Sequence, residues 1–181
     1  MKESFLQSAY ASEILKFHCP RYEELPAIDL YMDQVLSIIE EFVSVFSMGE
    51  KVLTASMVNN YVKQRIVSPP VNKKYSRKHM AYLLVVCILK KVFSISEICR
   101  MVTIQMENYP MSEAYDFFCE EVEKALRTAF TGEVFVRDEG EREEEALLRS
   151  AVLSFAQKVR TQKYLEYRLA QDHAEVVEKK A

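Results

Sequence analysis

The run from Met80 to Leu89 constrains this chain more than any other stretch. Arg77-Lys78 precede it and Lys90-Lys91 follow it. At helical pitch, Met80, Leu83, Leu84, Cys87 and Ile88 take one side and Tyr82, Val85, Val86 and Leu89 the other. A helix that is apolar nearly all round has to be enclosed by protein. The run falls well short of the ~18–20 apolar residues of a membrane span, and no other segment is longer, so no membrane partner is expected. The rest of the chain has to wrap this helix.

Three glycines and five prolines in 181 residues leave few turn formers, and the periodic runs between them are helical. Tyr31, Val35, Ile38, Ile39, Phe42 and Phe46 predict a buried face over 28–46, with Asp33, Glu40 and Glu41 outside and Gly49 as the stop. Thr54 can cap a short helix over 56–64, Ser76 one over 77–91, and Ser94-Ile95-Ser96-Glu97 fits a capping box for one over 94–107. Tyr115, Phe118, Cys119, Val122, Leu126 and Ala129 form the next stripe, ending at Gly132. Residues 133–138 are too short to assign, and 139–145 read as a solvated acidic helix start. A helix of roughly 30 residues is expected from Ala146 to about Val177, with Leu148, Ala151, Val152, Phe155 and Val159 as its stripe, continuing less cleanly through Leu165 and Leu169. Phe5, Leu6, Tyr10, Ile14, Leu15 and Phe17 predict a docked helical arm at the start.

The expected fold is therefore all-α, in three parts: an N-terminal arm at 1–20, a helical domain at 21–108 and a helical C-terminal region at 109–181. The stripes at 112–130 and 146–169 exceed what one short domain needs and predict a homodimer interface.

Charge is segregated along the chain. From Lys51 to Ser96 there are nine basic residues and no acidic one, while all 27 acidic residues share the remainder with fifteen basic ones. A net charge of −3 conceals this, and such segregation favours a polyanionic partner. Within the basic stretch, Ser56, Asn59, Asn60 and Lys63 lie at i, i+3, i+4 and i+7, on the face opposite Met57, Val58, Tyr61 and Val62. Ser68-Pro69-Pro70 stops that helix. Val71 to Tyr75 is long enough for a small basic hairpin or wing. The start of the next helix, Arg77-Lys78-His79, joins Lys73 and Lys74 to form a phosphate-facing group. His79 is expected at the surface or half buried.

Other chemistry finds little footing. Cys19, Cys87, Cys99 and Cys119 show no C-x-x-C pair and read as buried, reduced thiols. His18-Cys19 has no second cluster, so no metal and no cofactor are expected. No G-x-S-x-G, phosphate loop or H-E-x-x-H is present, and the chain is not expected to be an enzyme. No basic segment followed by an apolar core opens the chain, which predicts a cytoplasmic location.

The order polar-faced helix, proline turn, basic wing, apolar helix, capped helix resembles the winged helix-turn-helix of MerR-type regulators. Met57 to Val67 is similar to that family's recognition helix, Asn72 to Ser76 to its wing, and Phe93 to Ile98 to its capped fourth helix. The resemblance implies phosphate contact by Lys73, a wing tyrosine at Tyr75, a first motif helix within 28–46, and dimerisation through a long C-terminal helix. Asn59 stands where that family carries a phosphate-binding arginine. Arg65 stands where a glycine follows the helix, so the turn there must differ or be strained. A broader likeness from Arg21-Tyr22-Glu23-Glu24-Leu25-Pro26 to Ile98 is to an uncharacterised bacterial family, domain of unknown function 1836.

Together these features predict a dimeric DNA-binding transcription regulator. Ser56, Asn59, Asn60, Lys63 and Gln64 would enter a groove of double-stranded DNA, and Lys73, Lys74, Tyr75, Arg77 and Lys78 would lie on its backbone. The alternative is a helical protein–protein interaction module with a basic face.

Overall fold

The computed structural model describes residues 4–47, 49, 51–134 and 140–178, with side chains as far as His173. Residues 135–139, which hold most of the unassigned segment and the first residue of the acidic run, lie outside the described residues. Seven α-helices follow in order: α1 (Ala9–Leu15), α2 (Met32–Val43), α3 (Ala55–Lys63), α4 (Arg77–Leu89), α5 (Ile95–Asn108), α6 (Met111–Thr131) and α7 (Glu143–Glu178). The all-α expectation holds among these residues. Extended pairing there is limited to two single antiparallel bridges, Leu30 with Tyr75 and Val71 with Lys74.

The apolar run forms α4, which packs against α2, α5, α6 and α7. Met80, Leu83, Leu84, Val86, Cys87, Ile88 and Leu89 are all at most 1% exposed. Truncating one of the leucines to alanine at such a site costs about 2–5 kcal/mol, because transfer and cavity losses add. The capping box before α5 is formed: the Ser94 hydroxyl accepts from the Glu97 N–H, and the Glu97 carboxylate accepts from the Ser94 N–H at 2.8 Å.

The most extensive helix contact is between α6 and α7. The two run in the same direction. The Tyr109 hydroxyl, just before α6, donates to Glu145 near the start of α7 at 2.7 Å. Arg149 meets Glu121 further along, and Phe5 bridges Phe130 to Tyr164 at the far end. Tyr115, Phe118, Cys119, Val122, Leu126 and Ala129 are buried, as are Leu148, Ala151, Val152, Phe155 and Val159. The two stripes read as surplus apolar surface are thus covered within the single chain, and do not form the dimer interface expected of them. Leu165 and Leu169, 53% and 59% exposed, are the residues of the expected α7 stripe left open.

The N-terminal arm docks through Phe5, Tyr10, Ile14 and Phe17, but its α-helix is short, and Leu6 and Leu15, expected on the docked face, are exposed because the short turns of this segment point them outward. Phe5 packs on Phe130, Tyr164 and Tyr167, and Tyr10 on Tyr167. Phe17 meets Phe46, which in turn meets Phe155, so the arm, the 3-10 turn after α2 and α7 share one aromatic chain. Among the described residues no helix is long and apolar enough to cross a membrane.

Candidate functional site

The site begins with α3. Thr54 caps it, its hydroxyl accepting from the Met57 N–H at 3.3 Å. Val58 and Tyr61 face the core. Ser56, Asn59, Asn60, Lys63 and Gln64 are all exposed. The Gln64 side-chain amide donates to Asn60 Oδ1 at 3.2 Å, leaving the Asn60 amide hydrogens open to solvent. The helix ends in a Schellman turn. The Ile66 N–H bonds the Tyr61 carbonyl at 2.9 Å and the Arg65 N–H the Val62 carbonyl at 3.0 Å. That turn puts Arg65 at φ 60°, the strained left-handed conformation that a non-glycine residue there implies.

The expected wing is a two-residue turn. Val71 and Lys74 exchange both backbone bonds, at 3.1 and 2.9 Å, with Asn72 at φ 50° and Lys73 at φ 64° between them. Positive φ at both central positions is the pattern of a type I′ turn, in which asparagine is at ease and lysine is strained. Lys73 projects into solvent. Lys74 does not stand free: its ammonium lies 5.1 Å over the Tyr31 ring.

Two expectations are corrected at the start of α4. Tyr75 is 3% exposed; its backbone is bridged to Leu30 and its ring meets His79 edge-on at 5.5 Å, so it anchors the turn instead of facing a ligand. His79 is buried, at 8% exposure. Its Nδ1 accepts the Ser76 N–H at 2.9 Å, and that donor fixes the ring's acceptor edge. Nε2 then faces the Ser68 hydroxyl at 3.0 Å. His79 therefore fills the third position of a capping box, where glutamate or glutamine is usual, and ties the loop after α3 to the start of α4.

Arg77 and Lys78 diverge. The Arg77 guanidinium lies over the Tyr22 ring at 5.4 Å and pairs with Glu23 at 2.5 Å. Its Nε is buried without a partner. The loop 21–26 has thus folded onto this end of α4 and neutralised one of its charges. Lys78 stays exposed and lines a cleft with Ile66, Ser68 and His79, which places it beside the end of α3. Lys90 is withdrawn from the basic surface as well. It donates to the Val52 carbonyl, and burial lowers its pKa. No described carboxylate lies within ion-pair distance of Lys63, Lys73 or Lys78.

Two groups went unnoticed in the sequence. Glu121 is fully buried, and the Arg149 Nε donates to it at 3.0 Å while the Lys124 ammonium reaches it at 2.8 Å. Arg149 also reaches Glu141 at 2.8 Å and lies over the Phe117 ring. A signal was present: Glu121 sits in register with Phe118, Val122 and Ala125 on the apolar stripe. The second group is Cys19 and Cys119, whose sulfurs are 3.0 Å apart. An apolar cavity of about 50 Å³ lies between α4, α5 and α6, lined by Tyr82, Val85, Met101, Gln105 and Phe118 among others. The Gln105 amide donates to the Glu144 carbonyl at 2.6 Å, and its own oxygen is buried without a partner. Among the described residues no cluster of three or more His, Cys, Asp or Glu side chains could hold a metal ion.

The fold and this surface define an all-helical protein with an exposed polar face on α3 and exposed lysines on the turn at 71–74 and at the start of α4. The chain belongs to the family described as "Domain of unknown function (DUF1836)", whose model matches residues 20–118, more than half of the sequence. That span holds α2 to α5 and the first part of α6. Comparison with curated proteins and with solved structures returns no match.

Proposed function

We propose that this protein is a DNA-binding transcriptional regulator that acts as a homodimer. In this reading α3 enters a DNA groove, and the turn 71–74 with the start of α4 grips phosphates. One observation carries it: α3 has an exposed polar face, and Lys63 on it, Lys73 on the following turn and Lys78, which lines a cleft with the residues just after α3, have no described carboxylate to neutralise them. Asn59, Asn60 and Gln64 carry the amides that match adenine edges, and Lys63 lies one turn along from Asn59 and Asn60. Exchanging the exposed Gln64–Asn60 bond for a base edge costs little. Lys73 and Lys78, with Lys63, are the phosphate contacts. Leu165 and Leu169, with Tyr164 beside them, are exposed apolar residues that a dimer contact on α7 would use, and a two-fold dimer implies two symmetric half-sites.

The order of elements is similar to a MerR-type winged helix-turn-helix, with two departures. The connection from α2 to α3 spans residues 44–54, against the roughly 3–4 residues of such a turn. The wing is reduced to a single bridge. The proposal therefore rests on the surface more than on that likeness.

A helical protein–protein interaction module with a basic face is the second reading. It is favoured by the internal use of Arg77 and Lys74, which shrinks the charge left for phosphates. The salt dependence of DNA binding separates the two. Three lysines in each of two subunits give about six released counterions, so affinity for duplex DNA should fall roughly 10³-fold between 50 and 200 mM salt. Lys73→Ala should weaken binding to every sequence alike and flatten that slope. Asn60→Ala should cost about 1–3 kcal/mol on a preferred site and little on random DNA. Absence of salt-sensitive binding at low ionic strength would overturn the DNA reading and leave an acidic protein as the partner.

A further inference from the structure

We propose that Cys19 and Cys119 are the two halves of a reversible disulfide that clasps the ends of the family domain. The two residues flank the matched span of 20–118 immediately on either side, yet their sulfurs stand 3.0 Å apart. That is closer than the roughly 3.5–4.0 Å of ordinary packed atoms and about 1 Å from the ~2.05 Å of a covalent bond. Both side chains are buried, at 1% and 0% exposure.

The pairing does not depend on the thiols alone. The Glu123 carboxylate, one turn beyond Cys119 on α6, accepts the Cys19 N–H at 2.9 Å. It also takes two bonds from the Arg21 guanidinium, at 2.9 and 3.0 Å, and that guanidinium donates to the Cys19 carbonyl at 2.6 Å. Charge-assisted bonds of this kind hold the loop against α6 and set the sulfurs facing each other. The Cys19 thiol donates to Cys119, and the Cys119 thiol points to the Pro20 carbonyl at 3.5 Å. The other cysteines have no such partner. Cys87 is enclosed in α4, and Cys99 takes the Tyr82 hydroxyl at 3.6 Å.

The oxidant is a small organic disulfide such as oxidised glutathione. The hydrogen bond to Cys119 and burial hold the Cys19 thiol protonated while the loop is closed, so exchange runs through opening of the loop after α1. The Cys19 thiolate attacks one sulfur of the small disulfide and expels the first thiol. Cys119 then attacks the Cys19 sulfur and expels the second. Two protein thiols and one small disulfide become one protein disulfide and two small thiols, which carry away both protons. The closed link would also hold the following residues in place, Glu23 on Arg77 among them.

The test is to incubate the full chain with oxidised glutathione, alkylate the free thiols, and map peptides by mass spectrometry without reduction. The expected product is one intramolecular Cys19–Cys119 link with Cys87 and Cys99 alkylated. Oxidised protein should melt on the order of 5–15 °C above reduced protein, since the link closes a long loop, and dithiothreitol should reverse the gain. Cys119→Ala should abolish the shift; a Cys87→Ser, Cys99→Ser protein should keep it. Four alkylated cysteines, stable glutathione adducts, or a link through Cys87 or Cys99, in native buffer and again in sub-denaturing urea, would each overturn the proposal. The peptide map of the unmutated chain decides even where Cys119→Ala does not fold.

Discussion

Lys73 and Lys78 stand in solvent with no described carboxylate near them, whereas Arg149 is enclosed among Glu121, Glu141 and Phe117. The two regions treat charge in opposite ways. Between α6 and α7 Glu121, Arg149 and Glu141 are nearly out of water, so each must find a partner, and the network is part of the packing. On the turn and the start of α4 the ions keep their hydration, and holding them there costs the fold little. Arg77 lies between the two cases: half buried, and held by an exposed Glu23 and the Tyr22 ring. A charge that the fold does not use is one that a partner can use; of the nine basic residues of the central stretch, Lys63, Lys73 and Lys78 meet that condition within the proposed site, and Lys51 and Arg65 are exposed without a described ion pair as well.

Substitution should separate the regions, and the largest effect is expected inside. Arg149→Met leaves the buried Glu121 carboxyl with only Lys124 as an ion partner, and should cost about 3–5 kcal/mol in urea unfolding. The double change Glu121→Leu with Arg149→Met should recover most of that loss, because it removes both charges. A double variant as unstable as the single one would break the comparison.

A smaller effect involves pH. Burial works against ionisation of Glu123, but the Arg21 guanidinium and the Cys19 N–H outweigh it and hold the carboxyl below its ordinary value of 4.5. A folded-state pKa below the unfolded one stabilises the protein above the unfolded value, and that contribution is lost as pH falls through the folded one. The melting temperature of the unmutated protein should therefore drop more steeply below about pH 4.5 than that of Glu123→Gln. Parallel curves would show that the pair contributes nothing.

The smallest effects belong to the surface. Arg65→Gly and Lys73→Gly relieve left-handed strain of roughly 1–2 kcal/mol against a glycine entropy cost of roughly 0.5–1 kcal/mol, so each should stabilise by up to about 1.5 kcal/mol. Lys78→Ala should leave stability within about 0.5 kcal/mol. Lys73→Gly is the sharpest case, since the proposed function requires the same change that firms the fold to weaken DNA binding. A loss of stability in these variants would mean that the basic surface has a structural role.

Periodicity and caps were enough to mark the helices. The enclosed helix α4, the Ser94 capping box, the Thr54 cap and the strain at Arg65 all follow from neighbours a few residues apart, and local geometry governs them. The exposed residues of α3 were legible for the same reason. Long-range pairing was not. Sequence spacing cannot say that α7 runs parallel to α6 and covers both of their stripes, that Glu23 folds back onto Arg77, or that Tyr75 is bridged to Leu30 and buried. Nor can it bring Cys19 against Cys119 across 100 positions. Short-range preferences fix a helix and its buried face, but which faces meet depends on how all of them pack at once, and that competition is settled only in the tertiary structure.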